Sequence, residues 1–185
     1  DLYVRGANRL SASEHRERML STRFVLLQAA DSVPANVTGP AGAATLQAEI
    51  YGPVLAALAD DAYVPKTLRH LLDLVSPLAY GDVEQALNVL IGMSVVAPCQ
   101  SEAAEKLVQA RCNTLNLQLC KRSLYGNKIQ TLASPVTGGG VTVSRFQQLF
   151  LISIKQGKKH PDEWAQLAWG IIGGQGEGLL KDGRA

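Results

Sequence analysis

The chain is short of the residue patterns from which active sites are built. Its three cysteines, Cys99, Cys112 and Cys120, include no CxxC pair. An odd, unpaired set argues against a disulfide framework and for a reducing cytoplasm. His15, His70 and His160 stand far apart, and no metal-ligand spacing links them to a cysteine or carboxylate motif. No apolar run reaches the roughly 18–20 residues a membrane span needs. The opening Asp1-Leu2-Tyr3-Val4-Arg5 lacks the basic and apolar regions of a secretory leader. It also lacks an initiator methionine, as expected of an excised piece of a longer protein or of a processed chain. No charge sign dominates: 18 basic residues face 16 acidic ones, a formal +2. That balance gives no bulk attraction to nucleic acid or to an anionic membrane.

What is present is apolar, helix-forming sequence. The 185 residues are 46% hydrophobic, enough for one ordinary domain or two small ones with a proper core. Ser11-Ala12-Ser13-Glu14 is a capping box and predicts a helix over about 12–20. Arg23 to Gln28 reads as a strand. Residues 34–47 read as two short strands around Gly39-Pro40-Ala41-Gly42. These make a small α+β lead-in over 1–47.

Residues 48–98 are the most regular. Ile50, Val54, Leu55 and Leu58 share a helical face, as do Leu68, Leu71, Leu72 and Val75, and then Val83, Leu87, Leu90 and Ile91. A β-prone stretch, Met93 to Ala97, follows and is stopped by Pro98. Three short helices and a strand is the order of a winged helix. Over 99–185 a C-terminal helical region is expected. A long helix covers about 102–124, with Leu107, Val108, Leu115 and Leu119 among its apolar positions. A strand covers 129–132. The glycines Gly138 to Gly140 follow, and Ser144 opens a helix with Gln147 as its capping-box partner. A last helix over about 161–172 has Pro161 near its first position and Trp164, Leu167, Ala168 and Ile171 on one face. The expected class is mostly α, of the α+β kind.

Few of these residues suggest chemistry. The glycine run is separated from its helix by Val141-Thr142-Val143, and no Gly-Lys-Ser/Thr or GxGxxG is present, so a structural turn is favoured over a phosphate cradle. Cys112 and Cys120 lie eight apart on one helix and read as small buried hydrophobes, with a Cys–His nucleophile as the sharper alternative. The third helix of the winged-helix order, about 80–91, has no Lys or Arg and carries Asp82 and Glu84. Two carboxylates oppose a phosphate backbone, and Gln85 and Asn88 would read bases without electrostatic support. Lys155, Lys158, Lys159 and His160 form the densest basic patch, read as solvated charge favoured by a helix C-terminus.

The opening YVRGANRLS, the stretch AEIYGPVLAALA and, above all, LASPVTGGGVTVSRFQQLFLISIKQGKKHPDEWAQLAW resemble one known region. It is the regulatory and C-terminal region of bacterial class I S-adenosylmethionine-dependent methyltransferases, the methyltransferase regulatory domain, whose relatives include protein lysine methyltransferases. In that family the region lies downstream of the catalytic domain. The resemblance implies a non-catalytic regulatory or substrate-presenting region. Its partners would be a catalytic domain in the same parent chain and a protein substrate, with S-adenosylmethionine held by the parent and not by this stretch. The family's cofactor loop has no counterpart here, so no catalytic, cofactor-binding or metal residue is carried over. Tyr3, Arg5, Tyr51 and Trp164 are the candidate interdomain contacts, because aromatics and arginine favour interfaces. Two other readings remain open: a stand-alone winged-helix nucleic-acid module and a small cysteine hydrolase.

Overall fold

The structure, a computed structural model, describes residues 6, 9–39 and 42–176. It is mostly helical with small antiparallel sheets. Contacts divide the chain into two compact units, Asp1–Ser101 and Glu102–Ala185.

The first unit opens with α1 (Ala12–Ser21), capped as expected. Ser11 and Glu14 satisfy each other's backbone N–H groups, and those hydrogen bonds hold the Glu14 carboxyl below its ordinary range. Next comes β1 (Arg23–Leu26) and, after a 3-10 turn, the hairpin β2 (Asn36–Gly39) and β3 (Gly42–Thr45). The run α2 (Ala48–Tyr63), β4 (Lys66–Thr67), α3 (Leu68–Leu74), α4 (Tyr80–Gly92) and β5 (Val96–Cys99) completes the unit.

The three helices expected over 48–98 are therefore present, and so is the strand after them. The sheet is not local, however. β1 lies between β4 and β5, antiparallel to both, with Phe24 opposite Lys66 on one side and Pro98 on the other. A strand from the expected lead-in over 1–47 is the centre of this sheet. β5 also does not stop at Pro98 but runs through it. It is an edge strand in the order β4-β1-β5, where a missing N–H is tolerated.

Apolar periodicity decides this core. Val54 and Leu58 of α2, Leu68 and Leu71 of α3, and Val83, Leu87 and Leu90 of α4 are buried with Phe24 and Leu26 of β1. Burial of each such side chain is worth about 1.5–3 kcal/mol. Lys66 is buried too, and its ammonium donates to the Asp60 carbonyl at 2.8 Å. That carbonyl sits in the last turn of α2, where a cation offsets the negative end of the helix dipole.

The second unit begins with α5 (Glu102–Ser123), followed by the hairpin β6 (Thr131–Ala133) and β7 (Gly140–Thr142), then α6 (Arg145–Lys155) and α7 (Pro161–Gly174). Leu149 and Ile152 of α6, Ala168 and Ile172 of α7, Cys120 and Leu132 form its core. Along α5 the expected apolar positions diverge: Leu119 packs against this core, while Leu107 is 80% exposed and Leu115 50% exposed.

The glycine run closes the β6–β7 hairpin. Gly138 takes φ +74, a left-handed conformation that side chains resist. Its N–H donates to Ser134 O at 3.0 Å, and Ser134 N–H donates to Gly139 O at 2.8 Å. Asn116 of α5 acts as a substitute strand partner: its amide donates to Ala133 O and accepts from Ala133 N–H, both at 2.8 Å. Ser144 and Gln147 then form the expected capping box at the start of α6. Ser144→Ala should cost about 1 kcal/mol through the lost cap. Gly138→Ala should cost about 1–2 kcal/mol through backbone strain alone. Denaturant melts of the two variants check both values.

Candidate functional site

The concave apolar surface of the second unit lies on α6 and α7. Phe146 and Phe150 stand one turn apart on α6, edge to face with ring centroids 6.5 Å apart. With Ala165, Gln166 and Trp169 of α7 they line a groove of ≈ 530 Å³. Among the described residues no charged side chain lines it, and Trp169 is 55% exposed. A large aromatic left open to water beside two further rings is the anatomy of a contact surface.

Two of the four residues singled out from sequence, Tyr3 and Arg5, lie outside the described residues. Trp164 is half-buried and serves the fold. Its indole N–H donates to Lys158 O at 3.1 Å, and its ring packs on Phe150 with centroids 6.4 Å apart. The exposed indole is Trp169, which sequence reasoning passed over. Five residues along a helix turn a side chain by about 140°, so Trp169 falls away from the face shared by Trp164, Ala168 and Ile171. A tryptophan off the apolar face was the available signal.

Tyr51 is half-buried on α2, and burial pushes its hydroxyl pKa up. It lines a cleft of ≈ 490 Å³ in the first unit, floored by Ile50, Ala86 and Val89 and edged by Asp82, Gln85 and the β2–β3 hairpin. The structure thus places Tyr51 beside four residues of the third helix, Asp82, Gln85, Ala86 and Val89, whereas Trp164 belongs to the second unit. Glu84 of that helix accepts a hydrogen bond from the Tyr80 hydroxyl at 3.1 Å, and the Arg16 guanidinium lies 4.8 Å above the Tyr80 ring.

The candidates for chemistry stay scattered. His15, His70 and His160 are all exposed. Among the described residues no group of three or more His, Cys, Asp or Glu is placed to hold a metal. Cys120 is buried, and burial pushes its thiol pKa up, the reverse of what an attacking thiolate needs. The Lys159 and His160 backbone N–H groups cap onto the Glu163 carboxylate, each at 3.1 Å, and hold its pKa below the ordinary range. That part of the basic run is a helix start. Among the described residues no helix is long and apolar enough to cross a membrane.

No family profile matches the chain, and no solved structure matches it. An uncharacterized protein of Synechocystis is 28% identical over 186 residues, an alignment covering 100% of this chain and 35% of that protein. The chain therefore spans about a third of the length of the curated relative it matches.

Proposed function

We propose that this chain is a non-catalytic regulatory or substrate-presenting region of an S-adenosylmethionine-dependent methyltransferase. It acts by packing against the catalytic domain of the same parent polypeptide. The observation that carries the reading is the uncharged groove holding Phe146, Phe150 and the half-exposed Trp169. An apolar surface of this kind stabilises an interface when covered and costs solubility when bare. The resemblance of 132–169 to the methyltransferase regulatory region supports it. So does the length of the Synechocystis protein, which leaves room for a further domain outside the aligned third.

The alternatives find less support. A stand-alone winged-helix nucleic-acid module needs cations on its third helix, and α4 carries Asp82 and Glu84 with no Lys or Arg. A cysteine hydrolase needs a thiol whose pKa is depressed, and that of Cys120 is raised.

Hydrogen exchange tests the docking. Amides of α6 and α7 should exchange more slowly in the parent polypeptide than in this chain alone. Trp169→Glu should remove that extra protection in the parent, because a central tryptophan is worth about 2 kcal/mol or more to an interface. Equal exchange in parent and isolated chain would leave the groove without a partner and the reading without its main support.

A further inference from the structure

Residues 106–161 hold nine lysines and arginines and no aspartate or glutamate. The near-neutral total charge conceals this stretch, because every acidic residue lies before it or after it. At the C-terminal end of α5 its cations meet an aromatic ring in a concave setting. Arg122, Tyr125, Gly126, Lys128 and Ile129 line a cavity of ≈ 370 Å³. Tyr125 is 85% exposed, so its ring contributes almost nothing to the core. Among the described residues, no side-chain hydrogen bond or ion pair engages Arg122, Tyr125 or Lys128.

The backbone beneath them is held firmly. Tyr125 N–H donates to Arg122 O at 3.1 Å. The Gln175 amide donates to Leu124 O at 2.7 Å. The buried Gln148 amide reaches Ile129 O at 2.6 Å and fixes the opposite wall. A wall set before a ligand arrives lowers the ordering cost of binding.

The geometry points to a phosphorylated nucleoside as the ligand of this cavity, its base stacked on the Tyr125 ring and its phosphate held by Arg122 and Lys128. An exposed aromatic platform beside unopposed cations is how nucleotide units are gripped without sequence preference. No carboxylate is among the described residues that line the cavity, so the repulsion that argues against such a ligand at α4 is absent from its wall. The ligand comes either free or as one unit of a single strand, and the inference stands apart from the α6–α7 groove.

Fluorescence anisotropy with a short labelled oligothymidylate at low salt, with AMP as competitor, tests it. The chain should bind the oligonucleotide. Tyr125→Ala should weaken binding by about fivefold or more, while Tyr125→Phe keeps it. Lys128→Gln should reduce the salt dependence by about 0.7 of a log unit per log unit of salt. Competition by AMP assigns the cavity to a free nucleotide, and binding without such competition assigns it to a strand. Three results would each overturn the proposal: no binding of either probe at low salt, unchanged binding by Tyr125→Ala, or equal competition by polyglutamate. The last would mean that charge alone is at work. Tyr125 and Lys128 are exposed, and thermal melts check that the variants fold.

Discussion

Leu149→Ala should destabilise the second unit by about 3–4 kcal/mol. Leu149 is fully buried, and it meets Cys120, Leu132, Ile152, Ala168 and Ile172 in one cluster. Truncation there removes transfer energy and leaves a cavity that the surrounding helices fill only in part. Phe150→Ala, one residue on, should cost less, about 2 kcal/mol, because that ring is half-buried and lines the groove. Phe146, Leu149, Phe150 and Ile154 recur at three- and four-residue intervals along α6, yet Leu149 is fully buried and Ile154 is 45% exposed. Tryptophan fluorescence is the convenient probe, since both tryptophans, Trp164 and Trp169, lie on α7. If Phe150→Ala lowered the unfolding midpoint more than Leu149→Ala, the assignment of core and groove would be reversed.

Arg145→Ala should lose a comparable amount, about 2–4 kcal/mol. Its guanidinium is buried at the start of α6. Nε–H donates to Ser123 O, in the last turn of α5, at 2.8 Å, and another N–H donates to Gln175 Oε1 just beyond α7. Gln175 passes the connection on to Leu124 O. One planar cation thus ties three helix ends together and answers a carbonyl left open at the end of α5. Hydrogen bonds to a charged group are worth about 1.5–3 kcal/mol each, and their loss leaves buried polar groups without partners. Arg145→Lys should recover less than half of the loss, because an ammonium lacks the fork that reaches both acceptors. Denaturant melts of the two variants check this. Full recovery by lysine would mean that charge, not the geometry of the fork, matters at this position.

Much of the local structure was legible because it is written in neighbouring residues. The capping boxes at Ser11 and Ser144 lie within four residues, and the faces of α2, α3 and α4 repeat at three- and four-residue intervals. What escaped was non-local. β1 finds its partners 42 or more positions downstream, as in the pairing of Arg23 with Thr67 and Cys99. β4 is two residues long, too short to show a period. β7 was hidden by the glycine run that opens it, since only pairing with Thr131–Ala133 makes Gly140–Thr142 a strand. Arg145 looked like an ordinary first-turn residue, and only the convergence of three helix ends buries it. At the groove, Trp164 and Trp169 are equivalent as letters, and their position around α7 separates them. The whole-chain charge hid the acid-free stretch because a sum carries no positions.

On the function proposed above, S-adenosylmethionine binds the parent polypeptide and not this stretch. Calorimetric titration with S-adenosylmethionine, on the parent and on this chain alone, is the decisive measurement. The sequence contains no GxGxxG motif of the kind that cradles a nucleotide cofactor between a strand and a helix. Saturable binding to the parent and none to the isolated chain is expected. Saturable binding to the isolated chain at micromolar concentration, or none to the parent, would contradict it.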